Sequence, residues 1–117
     1  MVAVEVPAQR PLVFLQSAER PEVCFVSLPV RTVRPDFELT LSEDDRFALR
    51  LDEGAHAEIG IDLLCLALLI PAAGGIETNL GAPVVVNLAN LRCIQAQGSM
   101  AVGGRYRLGD GSWEPIC

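Results

Sequence analysis

The chain has no lysine, a single histidine, no closely spaced pair of cysteines and no apolar run of membrane-spanning length. Each shortage removes a class of function. The nine cationic side chains are all arginines, spread singly and outnumbered by fifteen acids, for a net charge of −6 and a pI near 4.6. Proteins that hold nucleic acid neutralise phosphates with clustered Lys and Arg, so direct nucleic-acid binding finds no support here. An acidic surface instead attracts a basic protein, or simply maintains solubility. With no CxxC and His56 as the lone imidazole, no metal-ligand set is present. The longest apolar run, Leu63 to Ile70, has eight residues, against the roughly 20 that a spanning helix needs. The first ten residues contain Glu5 and Pro7, where an export signal would place a basic start and an apolar stretch. A soluble, cytoplasmic protein without a membrane partner is expected.

Catalytic constellations are equally thin. A Ser-His or Cys-His pair would depend on His56, which lies in the loop-like segment LDEGAHAEIG. Carboxylates serve as general bases elsewhere, but the acids here cluster where capping and solvation explain them. Gly74-Gly75 and Gly103-Gly104 are followed by neither a lysine nor a helix start, so phosphate-binding and dinucleotide fingerprints fail and both read as turns. No enzyme, no catalytic residue, no metal and no cofactor is expected. Cys24, Cys65 and Cys93 sit in apolar strand-like runs and are expected as buried free thiols, with a disulfide as the alternative.

What the chain does have is apolar residues in short blocks. Half of it is hydrophobic and the mean hydropathy is +0.35, so it folds rather than remaining disordered. At 117 residues there is room for one domain. Val2, Val4 and Val6 alternate with Ala3 and Glu5, a strand that Pro7 ends. Pro11 to Ser17 is a second β-type run, closing into a turn through Glu19, Arg20 and Pro21. Glu22 to Leu28 is apolar at nearly every position, as in a strand covered on both faces, and Pro29 stops it. From Asp36 to Leu41, Phe37, Leu39 and Leu41 alternate with Glu38 and Thr40, the pattern of a half-buried strand.

Ser42 then opens a helix expected over about 42–51. Its hydroxyl is placed to accept from the Asp45 amide, and Glu43, Asp44 and Asp45 suit the positive end of the helix dipole. Phe47 and Leu51 share a face. Two turns hold only when packed, so this helix is expected to cover the sheet. Asp52 to Gly60 reads as a surface connection, with Gly54 as the helix stop. Ile61 to Ile70 has helix-favouring Leu and Ala, yet it is short, stops at Pro71 and lies among strands, so a strand is expected. Val84, Val85 and Val86 give the strongest β signal, in Ala82 to Leu88. Asn87 to Asn90 is a turn, Leu91 to Gln97 the returning strand, and Gly103-Gly104 a further hairpin turn before Tyr106 and Leu108. Gly109 to Cys117 is a polar tail in which Trp113 docks back. Six to eight short strands and one short helix make the fold class all-β, a small antiparallel β-barrel-like or sandwich domain.

Uncharged polar residues stand out within or beside these runs: Gln16-Ser17, Thr78-Asn79 and Asn87. They either fix turns and bulges through backbone hydrogen bonds or form a polar rim around a binding groove.

The same residues carry a family resemblance. Phe14-Leu15-Gln16-Ser17, with Pro21 and Phe25 behind it, resembles a W-L-Q-S … P … F segment, and Pro35-Asp36-Phe37 with Leu39 resembles P-D-Y … L. Thr78 to Asn87 (TNLGAPVVVN) is similar to T-x-N-L-x-A-P-I-V-I-N, with Gln95 in place of the glutamine of the next strand. In this order, from about Pro11 to Tyr106, they resemble the bacterial flagellar assembly factor family FliW. The resemblance implies a β-barrel-like fold with a short helix, and a cytoplasmic protein that binds newly made flagellin. It also implies binding of CsrA, a small basic translational regulator, which is thereby kept from repressing flagellin messenger RNA. Carried over residue by residue, the protein-binding candidates are Gln16, Ser17, Asp36, Phe37, Asn79, Leu80, Pro83 and Asn87.

The chain departs from the family pattern in three places. No G-L-P-G-F segment is found, so 1–117 is expected to be a single FliW-like β domain lacking the usual first strand or strands, with an exposed edge suited to homodimer pairing. Ser27-Leu28-Pro29 stands where Asp-Pro is usual, and the residues after Tyr106 do not match the R-x-P ending. Two other readings compete: a barrel enclosing a small molecule in an apolar pocket with a few inward polar groups, and a diverged paralogue with a different protein partner.

Overall fold

The most apolar run of the chain becomes its longest strand and the spine of the structure. In the computed structural model, which describes residues 2–5, 11–17, 19–20, 22–51, 57–96, 104–109 and 111–116, the order is β1 (Val2–Glu5), β2 (Val13–Gln16), β3 (Cys24–Pro29), α1 (Val30–Val33), α2 (Glu43–Ala48), β4 (Leu63–Ala72), β5 (Gly75–Asn79), β6 (Val84–Asn87), β7 (Cys93–Gln95), β8 (Arg105–Leu108) and β9 (Trp113–Pro115). All the ladders between these strands are antiparallel.

Strand β4 belongs to two sheets. Its first part, Leu63 to Leu66, pairs with β6, and Leu66 to Leu68 pair with β3, giving the sheet β1-β2-β3-β4-β6-β7. Its last part, Leu69 to Ala72, pairs with β5 and continues the second sheet through β8 and β9. Beyond Leu68 the strands β3 and β4 part. Pro71 is therefore tolerated inside a strand, because β4 has a ladder partner on one side there and the missing N–H falls on the other. The sheets bend without closing into a barrel: among the described residues β1, β7 and β9 each have a single strand partner.

Both faces of the first part of β4 are buried, as its continuous apolar sequence suits, while Ile70 and Pro71 near its end are exposed. Leu63, Cys65 and Ala67 face the larger cluster, which contains Leu28, Val30, Val33, Phe37, Leu49, Leu80, Val85, Ala96 and Tyr106. Leu66 faces the other way, with Val13, Leu15, Val84 and Val86. The polar side chains caught inside find backbone partners. The Ser27 hydroxyl donates to the Val13 carbonyl at 2.7 Å, and the Thr78 hydroxyl donates to that of Leu68 at 2.7 Å. Among the described residues no buried side-chain nitrogen or oxygen lacks a partner.

Several expectations need correction. Residues 36–41 form no strand: Phe37, Leu39 and Leu41 do turn inward and Glu38 and Thr40 outward, but the segment joins none of the ladders among the described residues. The alternation reported which side chains face the core, not that a neighbouring strand was there. A helical turn, α1, precedes this segment where none was expected. Helix α2 is shorter than 42–51 and buries none of its residues, so it does not cover the sheet; Leu49, just past its end, takes the buried position that Phe47 was expected to fill. Strand β3 is not covered on both faces, and Cys24 and Phe25 are exposed because β4 has diverged from them. Among the expected buried thiols Cys65 alone is buried; burial pushes its thiol up to about 12. Strand β8 pairs with β5 rather than with β7, and the supposed tail supplies β9, whose Trp113 packs against the larger cluster. Gly54, His56 and Gly103 lie outside the described residues.

Candidate functional site

The eight residues expected to contact a partner are divided between three places. Gln16 ends β2 on an exposed overhang, opposite Val2 and Cys24. Ser17 follows it in a turn that it shapes itself: its hydroxyl accepts from the Arg20 amide at 3.1 Å, and its own N–H donates to the Val23 carbonyl at 3.0 Å.

Asp36, Phe37, Asn79 and Leu80 come together around β5 and β8. Asp36 is exposed and accepts from Arg34 Nε at 2.9 Å, while Arg34 Nη1 reaches the Tyr106 hydroxyl at 3.4 Å. The hydrogen bond and charge of Arg34 hold the Asp36 carboxyl below the usual carboxylate range. This contact is present above the ordinary Asp pKa and fades as pH falls through the lowered value. Tyr106 stands opposite Thr78 in the ladder, and Arg105 opposite Asn79. The Asn79 side chain makes a turn, with Oδ1 accepting from the Gly81 amide at 2.8 Å, and the Leu80 N–H donates to the Gly104 carbonyl. A Cβ on Gly104 would lie 2.6 Å from the Gly81 nitrogen, so this crossing requires glycine. On the outer face Glu77 accepts from Arg105 at 2.7 Å, with Arg107 3.9 Å away.

Pro83 and Asn87 frame β6, and both are buried. Asn87 Nδ2 donates to the Leu49 carbonyl at 2.9 Å and its Oδ1 accepts from the Ala89 amide at 3.0 Å. Asn90 Nδ2 adds a second bond to the Leu49 carbonyl at 3.1 Å, and Arg92 Nε donates to the Ala48 carbonyl at 3.1 Å. The carbonyl end of α2 is thus tied to the β6–β7 turn by three side chains.

Of the eight, Gln16, Asp36 and Asn79 are exposed and Ser17 half-buried, whereas Phe37, Leu80, Pro83 and Asn87 are turned inward. Any influence of these four on a partner passes through the shape they support. Two open clefts are bordered by described residues. One of about 390 Å³ lies between Arg31, Glu38, Leu41, Arg46 and Glu58, and an apolar one of about 220 Å³ between Leu15, Phe25, Leu68, Val84, Cys93 and Gln95. Among the described residues no group of three or more His, Cys, Asp or Glu side chains is placed to hold a metal.

This framework of short antiparallel strands has known counterparts. A sequence model of the family described as FliW protein matches residues 1–101. The chain belongs to the FliW family. The flagellar assembly factor FliW of Treponema denticola is 31% identical over 107 residues, which is 90% of this chain and 62% of that protein. That of Treponema pallidum is 29% identical over 100 residues, 85% of this chain and 61% of that protein. The chain therefore spans about three fifths of the length of these curated relatives. A crystal structure of the flagellar assembly factor FliW superposes with a TM-score of 0.71 at 21% identity, covering 91% of this chain and 72% of that one. It establishes the FliW fold, with its mostly antiparallel sheet and short helices. Among the described residues no helix is long and apolar enough to cross a membrane.

Proposed function

We propose that this FliW-family chain is a partner-switching regulator in the cytoplasm. It binds newly made flagellin and the translational regulator CsrA, and by holding CsrA it relieves repression of flagellin translation. On this reading residues 1–117 act as one FliW-like β domain that uses no cofactor and catalyses nothing. Gln16, Ser17, Asp36 and Asn79 are its outward contacts, and Phe37, Leu80, Pro83 and Asn87 hold the surface in shape. The observation that carries the reading is the family match over residues 1–101. The net charge of −6 supports it, since an acidic protein suits a basic partner drawn away from RNA. The strands β1, β7 and β9, each with a single strand partner among the described residues, leave edges suited to pairing between two copies.

Calorimetry with the CsrA and the flagellin encoded in the same genome tests this. Binding of at least one with a Kd on the order of micromolar or tighter is expected. No heat with either protein, and no co-purification, would remove the proposal. The small-molecule reading is disfavoured because it calls for an enclosed apolar pocket, whereas the clefts of about 390 and 220 Å³ are both open and the larger is bordered by Arg31, Glu38, Arg46 and Glu58.

A further inference from the structure

The three most exposed large apolar side chains among the described residues are Phe47 at 84%, Leu91 at 69% and Ile61 at 67%. All three lie at one end of the molecule. Phe47 is in α2, whose following residues Ala48 and Leu49 are bonded to Asn87, Asn90 and Arg92 of the β6–β7 turn that carries Leu91. The same turn donates from the Leu88 N–H to the Asp62 carbonyl at 3.0 Å, next to Ile61, and Leu88 is itself 43% exposed. Four apolar side chains thus project from a base fixed by buried Leu49 and Asn87.

Backbone strain gathers at the same end. Among the described residues, Arg50 (φ 56°) and Leu91 (φ 61°) are the non-glycine residues with positive φ, and they follow α2 and close the β6–β7 turn. A leucine held left-handed with its side chain in water contributes little to folding, and such strain collects where function requires it. The border is acidic: Glu43, Asp44, Glu58 and Asp62 are exposed and Asp45 half-buried, against Arg46, Arg50 and Arg92. A notch of about 260 Å³ between Glu43, Arg46, Phe47 and Leu51 leaves room for an incoming side chain beside the phenyl ring.

We infer that this end, made of α2, the β6–β7 turn and the turn before β4, is the docking surface for a cationic protein whose apolar cleft receives Phe47 and Leu91. Aromatic anchors inside a charged border are the usual centres of binding energy, and the excess of acids selects a partner rimmed by Lys and Arg. The inference rests on the regulator reading and adds to it a surface separate from Gln16, Ser17, Asp36 and Asn79: the cationic partner it fits is an RNA-binding protein rather than RNA itself.

Calorimetry of CsrA against the full chain, Phe47→Ala and Leu91→Gly provides the test. Each variant is expected to bind about tenfold more weakly or worse. The Phe47→Ala midpoint of thermal unfolding should stay unchanged, and that of Leu91→Gly should rise as the left-handed strain is relieved. Added salt should weaken the wild-type complex. Unchanged CsrA binding by both variants would overturn the inference while leaving the regulator reading intact, as would loss of flagellin binding alone. A wild-type dimer in sedimentation that either variant splits would also overturn it, because a second copy would then be the occupant. A wild type that binds neither protein would end both.

Discussion

The two helices of this small β protein are stabilised in opposite ways. Helix α1 has no side-chain cap and no acid in its first turn, and it follows Pro29 directly, yet Val30 and Val33 are both buried. Helix α2 has a Ser42 cap bonded to the Asp45 amide at 3.1 Å, three acids in its first turn and no buried residue. Its far end closes with a paired set of turn bonds, Leu51 N–H to the Arg46 carbonyl and Arg50 N–H to that of Phe47, with Arg50 in the left-handed position that glycine usually fills. The first helix exists because the core holds it. The second is built from local bonds and then tied to the sheet by asparagines. Short helices are marginal alone, and here burial and capping each suffice as the missing contribution.

Substitutions divide accordingly. Phe37 packs beneath α1, its N–H donating to the Arg34 carbonyl and its carbonyl accepting from Arg31 Nε. Phe37→Ala should therefore cost about 3–5 kcal/mol in urea unfolding, and a loss below 1 kcal/mol would break the account of α1. Asn87→Ala should cost about 1–2 kcal/mol and free α2 for faster amide exchange, the lower part of the usual range because Asn90 still serves the Leu49 carbonyl. Ser42→Ala should cost about 1 kcal/mol, read from the same unfolding curves. Arg50→Gly should stabilise the protein by about 1 kcal/mol, since glycine adopts positive φ without strain. A destabilised Arg50→Gly would show that the arginine side chain outweighs its backbone cost.

The contrast also explains what was legible in the sequence. The Ser42 cap, the three acids and the Val84–Val86 strand are local signals and were readable, as was the all-β class. Helix α1 was not, since VRTV after a proline has no local reason to coil; the reason is the apolar cluster of Leu28, Phe37, Leu63 and Cys65 into which Val30 and Val33 pack. Phe37 to Leu41 showed its inward and outward faces correctly, yet a period of two cannot say whether a partner strand lies alongside. Asn79 and Asn87 were singled out as polar anomalies, and the structure gives both a backbone partner. Gln16 and Asp36 are exposed in the structure, whereas the apolar end with Phe47, Ile61 and Leu91 left no signal in the sequence. Leu49 is buried where Phe47 is 84% exposed, and the Leu49 carbonyl is anchored by Asn87 and Asn90 from a distant part of the chain.

Strand β4 has a consequence for how the molecule comes apart. Because Leu63–Leu68 and Leu69–Ala72 are one continuous rod serving two sheets, neither sheet can peel away while the other stays whole. The amides of its central residues should be the last to surrender their protons to deuterated solvent, and loosening at either end should be felt at the other as a single cooperative event.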